Sequence, residues 1–524
     1  MKKLGLFLLA LLSMVSQAVC QPVVTPPIFV PVVQTPGPSA RLFASNPYYT
    51  CTNNRYVSTT GSGSNNGLTV GTPWDIPTAV SYAAPAGTCI NLAAGSYSLT
   101  TNQLNVAHGG TSSSKTGYVV WRCTTMPFSF SGGVLQGEGT GCKLSQAATG
   151  GSYFMISVNT GVNYVIFEGF EITSNNNNNA GPCISIENQS PSAISHHIWL
   201  MNSDLYNCGI SGLQWNFADW LFVVHNVLHD NAHSVSPNCL NGSGLTFYEP
   251  LGLAGYTPTA GNPDYWHSNT TGRTYNMVVA YNAIYHNYND PTCGPTTDGD
   301  GIIMDNFSAS QQMHGCADIV GTSGATCPYG GNVLIMGNAV WGNGGYGIGV
   351  FSMFGPPDST AHIDIINNTS YSNSWDMTNT GSFGGALLMN QATNVTVWNN
   401  IGITVTGSRT CVNTGISCSA IDANGVSTDS WKTNLTYSGG QLNFANGATY
   451  PTVGVNHNLD GSNPNLTTLN PITTIAGTGA QNFALQAGSP AISFGQAFDL
   501  WQQSGTVDAG ACPFSAPGPV VNCP

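Results

Sequence analysis

The sequence predicts an all-β protein wound as a parallel solenoid, and three observations carry that prediction. The first is a phrase that repeats without gaps: Val223-Val-His-Asn226-Val-Leu-His-Asp-Asn231, Val279-Ala-Tyr-Asn282-Ala-Ile-Tyr-His-Asn287, Ile335-Met-Gly-Asn338-Ala-Val-Trp-Gly-Asn343 and Ile365-Ile-Asn-Asn368-Thr-Ser-Tyr-Ser-Asn373. Spacings of 56, 56 and 30 residues separate the first Asn of each copy, and weaker copies lie at 198–207 and 395–400. The second is a Gly followed by an apolar run, in Ser211-Gly-Leu-Gln-Trp, Ser243-Gly-Leu-Thr-Phe, Asp300-Gly-Ile-Ile-Met, Tyr346-Gly-Ile-Gly-Val and Gly384-Gly-Ala-Leu-Leu. The third is composition: only 6 % of residues are charged, against roughly a quarter in ordinary soluble domains, and 63 are glycine. Short strands, repeated phrases and Asn at the turns describe stacked coils, where a β-sandwich would not repeat itself.

Met1-Lys2-Lys3 followed by the apolar stretch 4–15 and the small residues Ala18 and Cys20 reads as a signal peptide over 1–20. Loss of Lys2 and Lys3 takes the formal charge from −13 to −15, and loss of Cys20 leaves 14 cysteines of 15. An even number in an exported chain reads as structural disulfides, with Cys51/Cys89, Cys123/Cys142, Cys316/Cys327, Cys411/Cys418 and Cys512/Cys523 as near neighbours. The acidic balance argues against nucleic acid. No later stretch is long and apolar enough for a membrane span, and a secreted or cell-surface monomer is expected.

Residues 21–50 form a Pro-rich arm, and a single β-helix domain is expected over 51–524. Apolar residues Ile76, Ala79, Val80 and Ala83 fall at helical spacing and predict a short helix capping the N-terminal end, where an open coil would expose core and strand edge. Stacked Asn side chains can bond along the axis and satisfy the turn backbone. The recurring His229, Tyr285, Trp341 and Tyr371 read as an internal aromatic ladder.

The opening Tyr56-Val-Ser…Asn-Gly67…Pro-Trp74 and Gly87…Ala-Ala-Gly-Ser-Tyr97, the rung Asn163-Tyr-Val-Ile-Phe-Glu-Gly-Phe-Glu-Ile172 and the closing Phe483-Ala-Leu-Gln-Ala-Gly-Ser-Pro-Ala-Ile492 with Val507-Asp-Ala-Gly-Ala511 resemble right-handed parallel β-helix proteins of the pectate-lyase-like superfamily, in style those of family-nine polysaccharide lyases. The resemblance spans about residues 55 to 512 and implies an extracellular polysaccharide as partner, and an Asp cluster holding Ca²⁺ to bridge a uronate.

One coil departs from its siblings. Thr297-Asp298-Gly299-Asp300-Gly301-Ile302-Ile303-Met304-Asp305 places Asp300 where the others have Ser211, Ser243, Tyr346 and Gly384, and Asp305 where they have Asn216, Tyr248 and Phe351. Three carboxylates so close repel one another unless a hard cation compensates, so Asp298, Asp300 and Asp305 are candidate Ca²⁺ ligands. If Ile302 and Met304 face the core, Ile303 and Asp305 face out, with Tyr248 and Phe351 flanking Asp305 as sugar-stacking aromatics.

Lyase chemistry needs a base, and the resemblance implies Lys, yet no Lys or Arg occurs between Arg273 and Arg409. Arg273, about one coil before the cluster, and His286 are the candidate bases. Carboxylate-based glycoside hydrolysis needs only two acids, Asp298 or Asp300 with Asp305. A non-catalytic carbohydrate-binding surface protein is the third reading.

Overall fold

The computed structural model describes most of residues 48–490, apart from short runs and the stretches 306–328, 352–360, 376–384, 404–418, 446–458 and 469–481. The predicted signal peptide, most of the arm, and the cysteines from 316 onward lie outside the described residues. Within them the chain is a right-handed parallel β-helix. Sheets A and B have eleven strands each and sheet C ten. A typical coil runs through Asp219–Val224 in sheet A, Val227–His229 in sheet B and Leu245–Tyr248 in sheet C before returning to A at Met277–Ala280. The predicted capping helix is present as Ile76–Ser81, with Asp75 capping it by accepting from the Thr78 N–H at 2.9 Å.

The passage from A to B takes two residues in coil after coil, and here the repeated Asn does its work. Asn226, Asn282, Asn338, Asn368, Asn400 and Asn434 each sit one coil above the last. The side-chain amide of each donates to the side-chain oxygen of the next at 2.9–3.0 Å. That oxygen also accepts a backbone N–H of the coil beneath. A second ladder, Asn231, Asn287, Asn343 and Asn373, closes the end of sheet B in the same way. From Asn226 to Asn400 the residue before each Asn of the first ladder has positive φ, as at His225, Tyr281, Asn367 and Asn399; Gly337 takes this place once, where a Cβ would meet the Tyr281 ring at 2.7 Å.

The Gly of the second phrase has a different cause. A Cβ on Gly244 or Gly301 would lie 2.7 or 2.6 Å from the carbonyl oxygen of the next coil. In the fifth copy the alignment slips by one residue: Ile348 pairs with Leu387, so Ala386, not Gly385, follows Gly347 in the stack. Inside run Leu205, Leu228, Ile284 and Val340 from sheet B with Leu213, Trp215, Leu245, Phe247, Ile302 and Met304 from sheet C, all fully buried. Disulfides join Cys51–Cys89 and Cys123–Cys142, as expected, and also Cys183–Cys208.

The aromatic ladder is real but stands outside. Leu228 and Ile284 point inward, so by alternation His229 and Tyr285 point out from sheet B. Tyr206, His229, Tyr285 and Trp341 stack face to face at 5.1, 4.9 and 4.4 Å between ring centres. Phe483, from a late antiparallel hairpin, lies against Trp341 and Tyr371.

Candidate functional site

Sheet C differs from the other two in its connections. Apart from the insertion 124–141, A and B are joined by corners of one or two residues, whereas long insertions leave both edges of C: residues 230–244 and 286–301 before it, 249–276 and 306–331 after it. Insertions on a repetitive scaffold are where binding surfaces are built. The sheet bordered by these insertions, C, also carries the unusual acidic coil.

On that face the register is the predicted one. Strand Ile302–Asp305 lies between Leu245–Tyr248 and Ile348–Phe351, and pairs Tyr248 with Asp305 and Asp305 with Phe351. Ile302 and Met304 are fully buried while Asp305 is half-buried, so Asp305 faces out. Below Tyr248 in the same column is Asn216. The side chain of Phe351 lies outside the described residues.

Asp300 belongs elsewhere. Only 1 % exposed, it continues a column in which the Ser211 hydroxyl accepts the Ser243 N–H, the Ser243 hydroxyl accepts the Asp300 N–H, and the Asp300 carboxylate accepts the Tyr346 N–H at 2.5 Å. Its second oxygen faces the Ser243 hydroxyl at 3.4 Å. Burial, then the negative field of Asp298, pushes this carboxyl well above the usual range, with a further contribution from Asp305. Asp298 is half-buried on the approach to the strand. A calcium ion needs several oxygens free to converge on it. Asp300 is committed to the turn, and among the described residues no group of three or more His, Cys, Asp or Glu is arranged to hold a metal. The Asp298/Asp300/Asp305 set does not fit the expected ion.

Neither candidate base is brought to Asp305. Arg273 sits in a small hairpin, Arg273–Thr274 against His267–Ser268, whose chain has crossed to the outside of sheet A. There its guanidinium pairs with Asp364 at 2.6 Å, and the Tyr275 hydroxyl takes the other Asp364 oxygen, also at 2.6 Å. Counting 25 residues back from Asp298 suggested a neighbouring coil; the insertion carries those residues to another face. His286 is buried at the end of sheet B, its Nδ1 3.6 Å from Asp230.

Two features were missed in the sequence. Glu249 follows Tyr248 at the C-to-A corner, fully buried, with φ +45°. The coil beneath has Phe217 there, at φ +53°; that exchange of an apolar for an acidic residue was a usable signal. Burial raises the Glu249 carboxyl, whose two oxygens find no hydrogen-bond partner among the described residues.

The second is an ionisable cluster on sheet B, assembled from four coils with no common sequence motif. Lys143 contacts Glu171 at 3.2 Å and donates to the Tyr206 hydroxyl at 2.7 Å. His229 lies between Asp204 (3.1 Å) and Asp230 (2.7 Å). Burial alone would push the His229 imidazole down, but the two carboxylates overcome it and raise it to about 10. Asp230, which burial would raise, is held far below its ordinary value by His229 and His286.

No protein-family model matches the chain, and neither does any curated protein. Solved structures similar to it include the pectate lyase Pel9A, 13 % identical at a TM-score of 0.44, covering 89 % of this chain and 97 % of that one. An alginate lyase from Paenibacillus sp. str. FPU-7 is 14 % identical at 0.36, covering 78 % and 98 %. A rhamnogalacturonan lyase is 11 % identical at 0.36, covering 80 % and 91 %. At such identities the likeness is one of fold.

Proposed function

We propose that the protein is a secreted enzyme that lays an extended, neutral extracellular polysaccharide along the outer face of sheet C and hydrolyses it at Asp305. The observation that carries this reading is the column in which Tyr248, Asp305 and Phe351 follow one another on successive coils, about 4.8 Å apart. A carboxylate flanked by aromatic positions, on the sheet bordered by insertions at both edges, suits a sugar chain lying across the coils. Hydrolysis asks for two carboxyl groups; Asp305 is one, and the half-buried Asp298 at the start of the same coil is the nearest in sequence after Asp300, which the turn holds. Disulfides such as Cys51–Cys89 support an oxidising compartment.

Charge favours a neutral glycan over a uronate. Asp298 and Asp305 lie on one coil of a chain of net charge −13, and repel an anionic sugar unless a cation intervenes. Neither candidate base for the lyase reading is placed here, since Arg273 is paired with Asp364 and His286 lies beside Asp230.

The test is a panel of neutral and uronate polysaccharides, assayed with calcium and with chelator. New reducing ends without ultraviolet-absorbing products are expected from a neutral glycan, indifferent to chelator. Asp305→Asn should lower kcat by about 10²–10⁴-fold with an unchanged melting temperature. Products absorbing in the ultraviolet and abolished by chelator would replace this reading with a calcium-dependent lyase; retention without products would make the protein a binding module.

A further inference from the structure

We propose that Gln214 and Asn216 are substrate-binding residues of the sheet C face. Their amides take two hydroxyl groups on neighbouring carbons of one sugar ring, and so select a 1,4-linked neutral glycan over a 1,3-linked one. The inference rests on the reading of sheet C as a glycan surface, and adds to it the linkage of the glycan.

Strand Leu213–Asn216 lies two coils below Asp305, with Leu213 and Trp215 fully buried in the core. By alternation Gln214 and Asn216 point out, Gln214 half-buried and Asn216 only 6 % exposed. Asn216 stands directly beneath Tyr248 in the column that leads to Asp305, about 9.6 Å away along the axis. The Asn216 Oδ1 is buried with no hydrogen-bond partner, and neither side chain makes a hydrogen bond among the described residues. Amides on the outside of sheet A are engaged. Asn91 donates to Asn54 and to the Arg55 and Cys89 carbonyls and accepts from Arg122, while Asn202 donates to Glu168 and accepts from His225. The Thr246 hydroxyl, beside Gln214 on the next coil, is taken up by Ser211 at 3.1 Å. The backbone of Leu213–Asn216 pairs in regular register with the strands on both sides, so the sheet itself asks for no amide here. A buried acceptor left unpaired costs stability, and native folds keep few of them. The partner that the protein withholds is one a ligand can supply.

The chemistry follows from the donor inventory. A carboxamide presents an acceptor and donors side by side in one plane. Two hydroxyl groups on neighbouring carbons match it, one accepting from the NH₂ group and the other donating to the oxygen. A half-turn about χ2 exchanges the two ends of the Asn216 amide, and Gln214 offers a second amide two residues away on the same face. In a 1,4-linked chain of hexopyranose or xylopyranose units O2 and O3 are both free and adjacent. In a 1,3-linked chain the linkage takes O3, and the internal units keep only O2 and O4, which are not neighbours. Such a ring leaves part of each amide unpaired, and a site built to bond a hydroxyl discriminates against a ligand that lacks it.

The experiment measures binding in the Asp305→Asn background, which removes turnover. Cellohexaose, xylohexaose and mannohexaose, all 1,4-linked, and the 1,3-linked laminarihexaose are titrated calorimetrically. At least one 1,4-linked chain should bind about tenfold more tightly than laminarihexaose. Adding Asn216→Leu, which keeps the shape and removes the polar atoms, should weaken that chain about tenfold and erase its advantage. The same change should raise the melting temperature of the free protein by about 2 °C, because an unpaired buried acceptor is gone. Gln214→Leu, at the half-buried position, should weaken the same chain and decides the matter if Asn216→Leu does not fold. A lower melting temperature for a folded Asn216→Leu means that the fold itself uses the amide, and overturns the inference whatever the affinity. Laminarihexaose bound as tightly as the 1,4-linked chains, or affinities unmoved by both leucine variants, overturns it while leaving the glycan face intact. No binding and no wild-type turnover with any of the four overturns the neutral-glycan reading and this inference together.

Discussion

The carboxylate at position 300 stands where Ser211 and Ser243 stand in the coils below, and caps the next backbone N–H as they do. Asp300→Ala should therefore leave the Tyr346 N–H buried and unpaired and lower stability by about 2 kcal/mol, read from chemical denaturation. Asp300→Asn keeps an acceptor there, and calcium titration of this variant should match the wild type. His229 makes a different prediction, because its two carboxylate neighbours raise it to about 10. The native state holds this proton above the ordinary value near 6.5, so the stabilisation is complete below that pH and is lost as pH rises through about 10. His229→Gln should flatten the alkaline limb of the unfolding free energy. Asp230 acts in the opposite sense: its folded value is depressed, so its contribution is present above about pH 3.9 and disappears as pH falls through the folded value. An acid limb unchanged in Asp230→Asn would remove that assignment.

At the level of corners and strands the repeated phrases were legible because each residue type is forced. Asn is required where one side chain must bond both up the stack and to a backbone group, and Asn338→Ala, which severs the ladder between Asn282 and Asn368, should cost about 3 kcal/mol. Gly is required where the next carbonyl lies closer than a Cβ allows, and Gly301→Ala should lower the melting temperature where the same change at the open Gly252 does not. What the phrases left open was parity. In three-residue strands such as Val227–His229 either the middle or the flanking positions can face inward, and the stacked rings, expected inside, stand outside. Insertions were less legible still. They follow no period, so Arg273 could be counted onto the acidic coil although the chain had carried it to Asp364. The sheet B cluster of Lys143, Glu171, Asp204 and His229 was invisible because its members come from four separate coils. Glu249 could have been seen by aligning it with Phe217.

Across the molecule, scarcity of charge predicts weak dependence of stability on pH, and the buried groups refine that expectation. Burial lowers His225 to about 4 and, with help from His197, His196 to about 3. Both resist protonation that the unfolded chain accepts, so stability is lost as pH falls below about 6.5. Asp219, raised by burial to about 6 against bonds from the Leu253 N–H and the Tyr329 hydroxyl, returns stability over a similar interval because the native state takes up its proton first. Two histidines outweigh one aspartate, so the melting temperature should be lower at pH 4.5 than at pH 7, and His225→Phe should narrow that difference.

The unequal corners also bear on how such a chain can grow. From Asn338 to Asn368 the path completes a full circuit in 30 residues, entering and leaving through the same side-chain bond. A tandem copy of residues 338–367 would present its neighbours with the partners they already have. The product should be one storey taller, lengthened by about 4.8 Å, with every hydrogen bond at the splice reproduced.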